Sequence, residues 1–350
     1  MSAQPESPVH AGPSVQADRA AFSRAIHPLN LMPLWERALG LKPGSPCVPA
    51  TWRYADIKPH LLRASELITK REAERRVLVL ENPGLRGTTF ITNTLYAGLQ
   101  IILPGETAYS HRHSPNALRF IVEGTGAYTA VEGEKVPMHV GDFIATPNGT
   151  WHDHGHEGTQ PVVWMDGLDT PFAAFFGAMF REDYPEARQP ITAPAGSAAA
   201  RFGSNLLPVD YSGAARCPLL VWPYERSREA LFAAARNAEL HAVHAHRLRY
   251  ADPTTGGHPF PTMAVFLQCL PKGFTGAPSR RTDGTVFNVV EGEATVHAGD
   301  QAFKVGPRDV FVIPPWVKYH LSSVGECVLF SYSDRAAQEA LGFWREEIAS

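Results

Sequence analysis

The sequence of 350 residues predicts a mainly β protein built from two barrels with flanking helices. Residues 77–170 and 261–333 consist of short β-branched runs separated by Gly and Pro, a spacing typical of a β-sandwich or barrel. The two regions also resemble each other. The chain length suits two modest domains or one duplicated domain, and the 44% of hydrophobic residues can form a core.

The internal repeat rests on landmarks at a nearly constant offset. The segment 120–124 (FIVEG) recurs as 287–292 (FNVVEG), and the two Glu-Gly pairs are 168 residues apart. The segment 141–147 recurs as 308–314, each with an Asp five residues before a Pro. Chance does not readily produce several aligned landmarks, so we interpret the two β regions as copies of one barrel domain.

The segments around the barrels have different patterns. The N-terminus is polar, Pro-rich and without periodicity, which is typical of disorder. Helices are expected at residues 60–76, near 226–240 and at 335–349. The predicted organisation is a disordered N-terminus at 1–20, a helical arm at 21–90, a first barrel at 91–170, a linker with a helix at 171–255, a second barrel at 256–333 and a C-terminal helix at 334–350.

Composition excludes several classes of partner. The net charge is −3, from 32 basic and 35 acidic residues, so neither a nucleic acid nor a membrane surface is expected as a partner. We expect no membrane span, because the chain has no apolar run of 18 residues, and no secretory signal, because the N-terminus lacks an apolar core. No two of the four cysteines are closer than 52 residues, a spacing that fits neither a zinc ribbon nor a compact disulfide framework. A reducing cytoplasm is therefore the expected compartment.

Three histidines of the first barrel have the spacing of a metal site. His111 and His113 are two residues apart on a predicted strand, so both side chains face the barrel interior. His152 follows 39 residues after His113, behind a Pro-Asn-Gly turn. Three imidazoles from two strands form a facial set of nitrogen ligands with open positions opposite.

The same spacing resembles the two-part signature of the cupins. It is Gly105-x5-His111-x-His113 followed by Gly141-x5-Pro147-x-Gly149-x2-His152. The resemblance implies a bicupin fold, in which two double-stranded β-helix (jelly-roll) barrels carry flanking helices.

One departure from the cupin pattern is informative. Most cupins carry a Glu four or five residues after the second His, where this chain has Ala117 and Leu118. Three neutral imidazoles leave a metal its full 2+ charge, which favours a bidentate dianionic ligand such as the carboxylate and phenolate of a salicylate-like acid.

The second copy has lost this metal-site pattern. Ser279 and Arg281 stand 168 residues after His111 and His113, and only His320 remains, one place out of register. We therefore expect a structural second barrel without metal, and one metal ion per chain.

Over residues 30–345 the sequence resembles the gentisate 1,2-dioxygenase family, which includes salicylate and 1-hydroxy-2-naphthoate dioxygenases. The resemblance is carried by the segments 110–158, ENPGLRG, LYAGLQIILPGE, VVWMDGLD and RYADPTTGG. It implies one Fe(II) per chain, an aromatic hydroxy acid and O₂ as substrates, and a cytoplasmic homotetramer. For gentisate, the ring would open between the carboxylate- and 2-hydroxyl-bearing carbons to give maleylpyruvate.

Other functions stay open at this stage. The preferred acid could be salicylate or 1-hydroxy-2-naphthoate, because a few pocket side chains decide ring-cleavage selectivity. A non-redox hydrolase or isomerase is a further alternative, because Zn also accepts three histidines. A non-enzymatic binding bicupin is the third, although it would not need three intact histidines.

Arg119 is the main candidate for holding a substrate carboxylate. It lies six residues after His113, so even parity places it on the same inward face. A buried Arg beside a dication needs a bridging anion, and a carboxylate provides one through charge-assisted hydrogen bonds. The alternative is a structural salt bridge.

Four further residues are expected at the substrate. Tyr96, Gly98 and Gln100 alternate on one strand face, and the resemblance implies that this face lines the ring pocket, with Gly98 leaving room and Gln100 binding a hydroxyl. The alternative is ordinary strand alternation. Arg75 resembles a substrate-contacting Arg of the family, although it could equally be a solvated charge.

Two residues are candidates for acid-base and positioning roles. His154 lies two residues after His152 and should face the same cavity, where it could bond the phenol or the oxygen and move a proton. Asp166 follows a VVW strand and could orient a histidine. Either residue could instead be purely structural. The histidine cluster at 241–246 (HAVHAH) is interpreted as solvated surface.

Overall fold

The computed structural model describes residues 13–37, 40–69 and 75–349, in two compact units, Met1–Pro43 and Gly44–Ser350. The prediction of disorder at 1–20 is wrong from residue 13 onward, and residues 1–12 lie outside the described part. Helix α1 begins at Pro13, where the missing N–H of proline costs nothing, and continues through Ala, Gln and Arg, which favour helices.

Helix α1 precedes the strands, and the other helices lie between strands. The α-helices are α1 (Pro13–Ile26), α2 (Tyr54–Leu67), α3 (Thr170–Phe175), α4 (Ser197–Phe202), α5 (Tyr224–Asn237) and α6 (Arg335–Ala340), with 3₁₀ turns at His27–Leu29, Leu34–Glu36 and Pro83–Leu85. None of the helices in the described part of the chain has the length and apolarity needed to cross a membrane.

The strands are short and follow one another closely. The first twelve are β1 (Ala50–Trp52), β2 (Arg76–Val79), β3 (Tyr96–Ile102), β4 (Thr107–His113), β5 (Ala117–Glu123), β6 (Ala127–Val131), β7 (Glu134–Pro137), β8 (Phe143–Thr146), β9 (His152–His156), β10 (Val162–Leu168), β11 (Arg181–Asp183) and β12 (Val221–Trp222). The others are β13 (His246–Arg249), β14 (Ala264–Leu270), β15 (Ser279–Arg281), β16 (Thr285–Glu291), β17 (Ala294–Ala298), β18 (Gln301–Val305), β19 (Val310–Ile313), β20 (Tyr319–Ser322), β21 (Cys327–Ser333) and β22 (Glu346–Ile348).

These strands form two barrels of two antiparallel sheets each. The first barrel has the orders β12-β8-β5-β10-β3-β2 and β11-β4-β9-β6-β7. The second has β1-β19-β16-β21-β14-β13 and β18-β17-β20-β15-β22. The predicted bicupin fold of two jelly-roll barrels is therefore confirmed.

The largest core lies between the two six-stranded sheets. Phe120 of β5 stacks on Phe330 of β21 with ring centroids 4.1 Å apart, so each barrel contributes to one shared apolar layer. Alternate residues of the same strands, such as Ile121 and Trp164, fill the interior of the first barrel instead. Burial on both faces explains why these strands are continuous apolar runs.

Two helices join the barrels in a symmetric way. The N–H of Tyr54, the first residue of α2, donates to Asp309 of the second barrel at 2.8 Å. The Tyr54 hydroxyl and Lys58 Nζ bind Glu123 of the first barrel at 3.1 and 2.6 Å. Helix α2 therefore links one barrel to the other.

Helix α5 repeats this arrangement with the barrels exchanged. The Tyr224 N–H donates to Asp142 of the first barrel at 2.9 Å. The Tyr224 hydroxyl and Arg228 Nε bind Glu291 of the second barrel at 2.6 and 2.8 Å. The acidic landmarks of the sequence repeat are thus the anchor points of two crossing helices.

The expected helix at 60–76 lies at Tyr54–Leu67, and residues 70–74 lie outside the described part. The expected linker at 171–255 is more than a connection, because it contributes β11, β12 and β13 to the sheets of the two barrels. The helix expected near 226–240 is α5, Tyr224–Asn237.

The prediction of a C-terminal helix at 334–350 is largely wrong. Only α6 is helical, and the chain turns at Gly342 with a φ of 72°, a conformation that favours glycine. Glu346–Ile348 then forms β22 and pairs with β15. Pairing with an open sheet edge outweighs the amphipathic pattern of the segment.

Candidate metal centre

Two neighbouring strands bring the three predicted histidine ligands together. His111 and His113 lie on β4, and His152 begins β9, where it pairs directly with His111. One ligand atom from each of the three lies within 4.8 Å of the others. Among residues 13–37, 40–69 and 75–349, this is the one group of His, Cys, Asp or Glu side chains with metal-binding geometry.

Backbone carbonyls set the tautomer of each ring. Every Nδ1 lies 2.9–3.0 Å from a carbonyl oxygen two residues away along the chain. The pairs are His111 with Tyr109, His113 with Pro115 and His152 with Thr150. A carbonyl only accepts, so Nδ1 carries the proton and Nε2 carries the lone pair that can bind a metal.

The electrostatics of the site keep these rings neutral. Burial, followed by the nearby Arg75, lowers the pKa of His111 to about 2 and that of His113 to about 4. Burial, followed by His111, holds the pKa of His152 well below its ordinary value. Neutral imidazole is the form that binds metals, so the rings are ready ligands at neutral pH.

Arg75 reaches this centre, as the sequence analysis expects. Its Nη2 contacts Nε2 of His111 and lies 2.8 Å from Nδ1 of the same ring. With Gln100 and neighbours, it lines a cavity of about 20 Å³ that none of the three histidines lines. A metal ion bound at Nε2 of His111 would displace the Arg75 guanidinium from that atom.

Arg119 is buried on the inward face, but it already has partners. Its Nη1 donates to the Thr146 hydroxyl, and its Nε lies 3.5 Å from Asp166 Oδ1, its cross-strand neighbour. Burial lowers the pKa of Arg119 to about 10, and burial raises the pKa of Asp166 while Arg119 opposes that rise. The structural salt bridge that the sequence left open is present.

Asp166 binds no histidine among the described residues, so its expected role in orienting one stays a prediction. Besides Arg119, Asp166 accepts from the Trp164 indole N–H at 3.0 Å. The register of β5 and β10 places Arg119 directly opposite Asp166, so the carboxylate is used there. Its role is to hold the arginine.

His154 lies in the same cavity as the ligands. Its ring centroid is 6.1 Å from that of His152 and 5.3 Å from that of Trp164. The residue is fully buried, and neither ring nitrogen has a hydrogen-bond partner among the described residues. A buried polar ring without a partner is costly, so a ligand with a donor or acceptor is the expected occupant.

Tyr96, Gly98 and Gln100 lie together on β3, as predicted. A Cβ added to Gly98 would lie 2.6 Å from Val77 Cγ1 and 2.7 Å from the Tyr96 hydroxyl. The expectation that Gly98 leaves room for an aromatic ring is therefore wrong in this structure, because Val77 and the Tyr96 hydroxyl fill the space over it. Gln100 is buried and shares the small cavity with Arg75.

Sequence reasoning missed the residues that support the ligand loops. Asn116 binds Asp169 through its N–H at 2.8 Å and its side-chain amide at 2.9 Å. Its side-chain Oδ1 accepts from Asn148 N–H at 3.0 Å, and Gly149 N–H donates to the backbone carbonyl of His113 at 2.8 Å. A Pro-Asn pair after His113 and another before His152 were the available signal.

The second barrel replaces the ligands with other groups. Ser279 pairs with Tyr319 as His111 pairs with His152, so Tyr319 occupies the third ligand position. The Arg281 guanidinium donates to the Tyr319 hydroxyl. His320 points to the other face and stacks on His297 at 4.3 Å.

Comparison with known proteins identifies the family to which this chain belongs. The Cupin domain family matches residues 98–168 and 266–332, so the fold and site define a two-barrel cupin with a single three-histidine centre. The gentisate 1,2-dioxygenase 1 of Aquipseudomonas alcaligenes is 47% identical over 95% of this chain and 97% of its own length. The chain belongs to the gentisate 1,2-dioxygenase family of ring-cleaving dioxygenases.

Other relatives agree with this assignment. The gentisate 1,2-dioxygenase of a Ralstonia species is 40% identical over 85% of this chain and 84% of its own. The crystal structure of the salicylate 1,2-dioxygenase from Pseudaminobacter salicylatoxidans superposes with a TM-score of 0.89 at 32% identity, covering 97% of this chain and 99% of that one. The same enzyme has been solved with gentisate, with a TM-score of 0.90 at 32% identity, covering 100% of this chain and 97% of that one.

Proposed function

We propose that this protein is an Fe(II)-dependent dioxygenase that opens gentisate between its carboxylate- and 2-hydroxyl-bearing carbons to give maleylpyruvate. The observation that carries the proposal is the set of three buried imidazoles whose Nδ1 atoms are held by carbonyls, in a chain 47% identical to a gentisate dioxygenase. One iron per chain is proposed, on His111, His113 and His152.

The donor set fits a divalent metal. Three neutral nitrogens without a carboxylate leave the metal its full charge, which favours an anionic chelating substrate. The chemistry supplied by Fe(II) at this position is electron transfer between an electron-rich ring and O₂. Zn would accept the same ligands but is redox-inert, so iron rests on the family rather than on the ligand geometry.

The residues around the centre have separate proposed tasks. Arg119 and Arg75 hold the substrate carboxylate, Arg119 from its fixed position beside Asp166 and Arg75 after it leaves His111. The ring lies against the Tyr96 side chain, which covers Gly98.

The hydroxyl groups are assigned to two buried side chains. Gln100 binds a ring hydroxyl. His154 is neutral, because burial, followed by Arg119, holds its pKa well below the ordinary value, and a ring nitrogen without a partner can accept a hydrogen bond from a phenol proton. Its full burial beside Trp164 keeps water away from that proton.

The direct test is anaerobic reconstitution with Fe(II), then O₂ uptake and ultraviolet product spectra with gentisate, salicylate and 1-hydroxy-2-naphthoate. We expect the highest kcat/KM with gentisate and one O₂ per ring opened. Faster cleavage of either other acid would reassign the substrate. A Zn- or Mn-loaded protein that turns over without O₂ would point to a hydrolase or isomerase, and substrate binding without turnover would point to a binding bicupin.

A homotetramer in the cytoplasm is also proposed. The unit Met1–Pro43 exposes large apolar side chains, with Leu29, Met32 and Trp35 each more than half exposed, which suits contact with another chain. The four cysteines are free and buried, in keeping with a reducing compartment. Light scattering at micromolar concentration should give about four times the 38.3 kDa chain mass, and a monomer would contradict the assembly.

A further inference from the structure

The three histidines of the metal centre are not equally shielded. His111 and His152 are almost fully buried, whereas His113, at the end of β4, is partly exposed. The strand beside β4 is β11, which lies at the edge of its sheet with all three residues, Arg181–Asp183, exposed. The least shielded approach to the centre therefore passes His113 and β11, and we call these residues the mouth of the site.

Strand register places two opposite charges on the ligand side of the mouth. Arg181 pairs with His113, and Asp183 pairs with His111. Residues that stand directly opposite each other in antiparallel strands point to the same face of the sheet, so both charged side chains lie on the face that holds the ligands. Burial and Arg75 lower the pKa of His111 most, and Arg181 adds to them, as expected of a charge near the centre.

The same two strands carry a second pair of charges on the other face. Arg112 lies between the two ligands of β4 and pairs with Glu182 of β11. Side chains alternate along a strand, so this pair points away from the centre. There, Arg112 Nε donates to Glu182 Oε2 at 2.5 Å, and the guanidinium lies over the Trp151 ring. One arginine and one carboxylate therefore lie on each face.

The ion pair at the mouth can exchange its partners. Asp183 Oδ1 accepts from Nε and Nη2 of Arg181 at 2.9 and 2.7 Å. The two side chains are 43% and 73% exposed, and ion pairs in water contribute little to stability. The carboxylate of an entering acid can therefore replace Asp183 at small cost.

We propose that Arg181 attracts the carboxylate of the aromatic acid at the mouth and directs the acid toward Arg75 and Arg119 inside the barrel. This inference rests on the proposed function and adds a steering residue at the entrance of the same site. Positive charge at an opening raises the local concentration of an anion and its association rate. Asp183 limits this attraction, because its charge repels the same anion.

The test is a stopped-flow measurement of the association rate constant of sodium gentisate with the iron-loaded protein, without O₂, followed by tryptophan fluorescence. It is made at roughly 0.1 M ionic strength, where charges act over about 10 Å, and at roughly 1 M, where they act over about 3 Å. Arg181→Gln should lower the rate constant about two- to fivefold at the lower salt and not at the higher. Asp183→Asn should raise it at the lower salt, and Arg181→Lys should restore it because the charge is kept.

The outer face supplies the matched controls. Arg112→Gln and Glu182→Gln make the same charge changes on the same two strands, but with the sheet between them and the mouth. Each should change the rate constant by less than about 1.5-fold at the lower salt, because screening weakens the more distant charges.

Three results would overturn the inference. They are an unchanged rate constant in Arg181→Gln, an equal loss in Arg112→Gln, and a loss in Arg181→Gln that persists at the higher salt, which would identify a structural role. Failure of gentisate, salicylate and 1-hydroxy-2-naphthoate to bind the wild type would remove the proposed function and this inference with it. Binding at an unchanged rate in Arg181→Gln removes this inference alone.

Discussion

At the scale of the residue, the hydrogen bond at Nδ1 of each of the three histidines determines which ring nitrogen can bind a metal. The three Nδ1–carbonyl bonds leave the Nε2 atoms pointing at one position, and burial keeps them deprotonated. A metal ion then displaces no proton from these rings. Because the three Nε2 atoms converge, the affinity for the metal should depend on all three imidazoles together.

Removing one ligand should empty the site. We expect His113→Ala to retain less than about one tenth of the wild-type iron after dialysis, because two neutral imidazoles are a poor chelate. Elemental analysis measures this. His320→Ala is the matched control, since that ring stacks on His297 away from the barrel interior, and it should keep one iron per chain. Full iron content in His113→Ala would contradict the ligand set.

The two arginines can be separated by conservative changes. Arg119→Lys keeps the charge beside Asp166 but loses the planar fork, so kcat/KM for gentisate should fall roughly 100-fold. Arg75→Lys should raise KM roughly tenfold with a smaller change in kcat, because its guanidinium is recruited only when substrate enters. Steady-state kinetics on iron-replete proteins separates the two. If Arg119→Lys keeps the wild-type kcat/KM, the substrate carboxylate would be assigned to Arg75 instead.

At the scale of the element, loops rather than strands determine how accurately the ligands are held. The segment after His113 and the segment before His152 are joined through Asn116, whose partners come from two different loops. Asp169, at the start of α3, provides the fixed end of this connection.

Breaking this connection should affect metal binding from a distance. Asn116→Ala removes the amide donor to Asp169 Oδ2 and the acceptor of the Asn148 N–H, so the free energy of unfolding should fall by about 1–3 kcal/mol. Iron affinity should fall about 10- to 100-fold, as for other partners that orient ligands. Urea unfolding and a chelator competition measure the two effects. The control Asn237→Ala, at an exposed helix end, should change neither quantity. Unchanged iron affinity in Asn116→Ala would show that the two loops keep their conformation without this hydrogen-bonded connection.

The start of α6 introduces a pH dependence. Burial, followed by Asp283, raises the pKa of Asp334 from 3.8 to about 6. A folded-state pKa above the unfolded value favours the protonated form, so this contribution is present below about pH 4 and is lost as the pH rises to about 6. The loss corresponds to about 3 kcal/mol at 1.36 kcal/mol per pKa unit.

Asp334→Asn removes that titration. As the pH rises from 4 to 7, the wild type should lose free energy of unfolding that the variant keeps. The variant should therefore become more stable relative to the wild type. The Asn oxygen can still accept from Gly284 N–H, which lies 2.9 Å from the native carboxylate. Denaturant unfolding at several pH values measures the trend, with the exposed Asp300→Asn as control. A constant difference across this range would show that Asp334 titrates normally.

At the scale of the whole molecule, the two barrels are mutually dependent. Each crossing helix takes its first N–H acceptor from one barrel and binds a glutamate of the other. The six-stranded sheets also share one apolar layer, in which Phe120 and Phe330 stack. Neither barrel buries its own core completely, so they should unfold together.

This dependence can be measured through Glu291. Glu291→Gln weakens the contact with Tyr224 and Arg228, and we expect a loss of about 1–2 kcal/mol in a single unfolding transition. Tryptophan fluorescence and circular dichroism should give coincident curves, because indoles lie in both barrels. The exposed Glu186→Gln should leave the midpoint unchanged. Two separate transitions in Glu291→Gln would show that the barrels fold independently.

The sequence by itself determined the duplication, the barrel class and the three histidines that could hold a metal ion. Strand side chains alternate with a period of two, so the spacing of His111 and His113 already places both rings on one face. The repeated Asp and Glu landmarks identified equivalent positions in both barrels. These are local or periodic properties, which need no knowledge of how distant segments meet.

Only the tertiary structure decided the partners of the polar groups. Asp166 binds Arg119, 47 residues earlier in the chain (166 minus 119), because their strands are in register. Tyr319 rather than His320 takes the third position in the second barrel for the same reason. The C-terminal segment became a strand because an open edge beside Ser279–Arg281 accepted it. Side-chain pairing depends on strand order and register, and these are set by the packing of the whole chain.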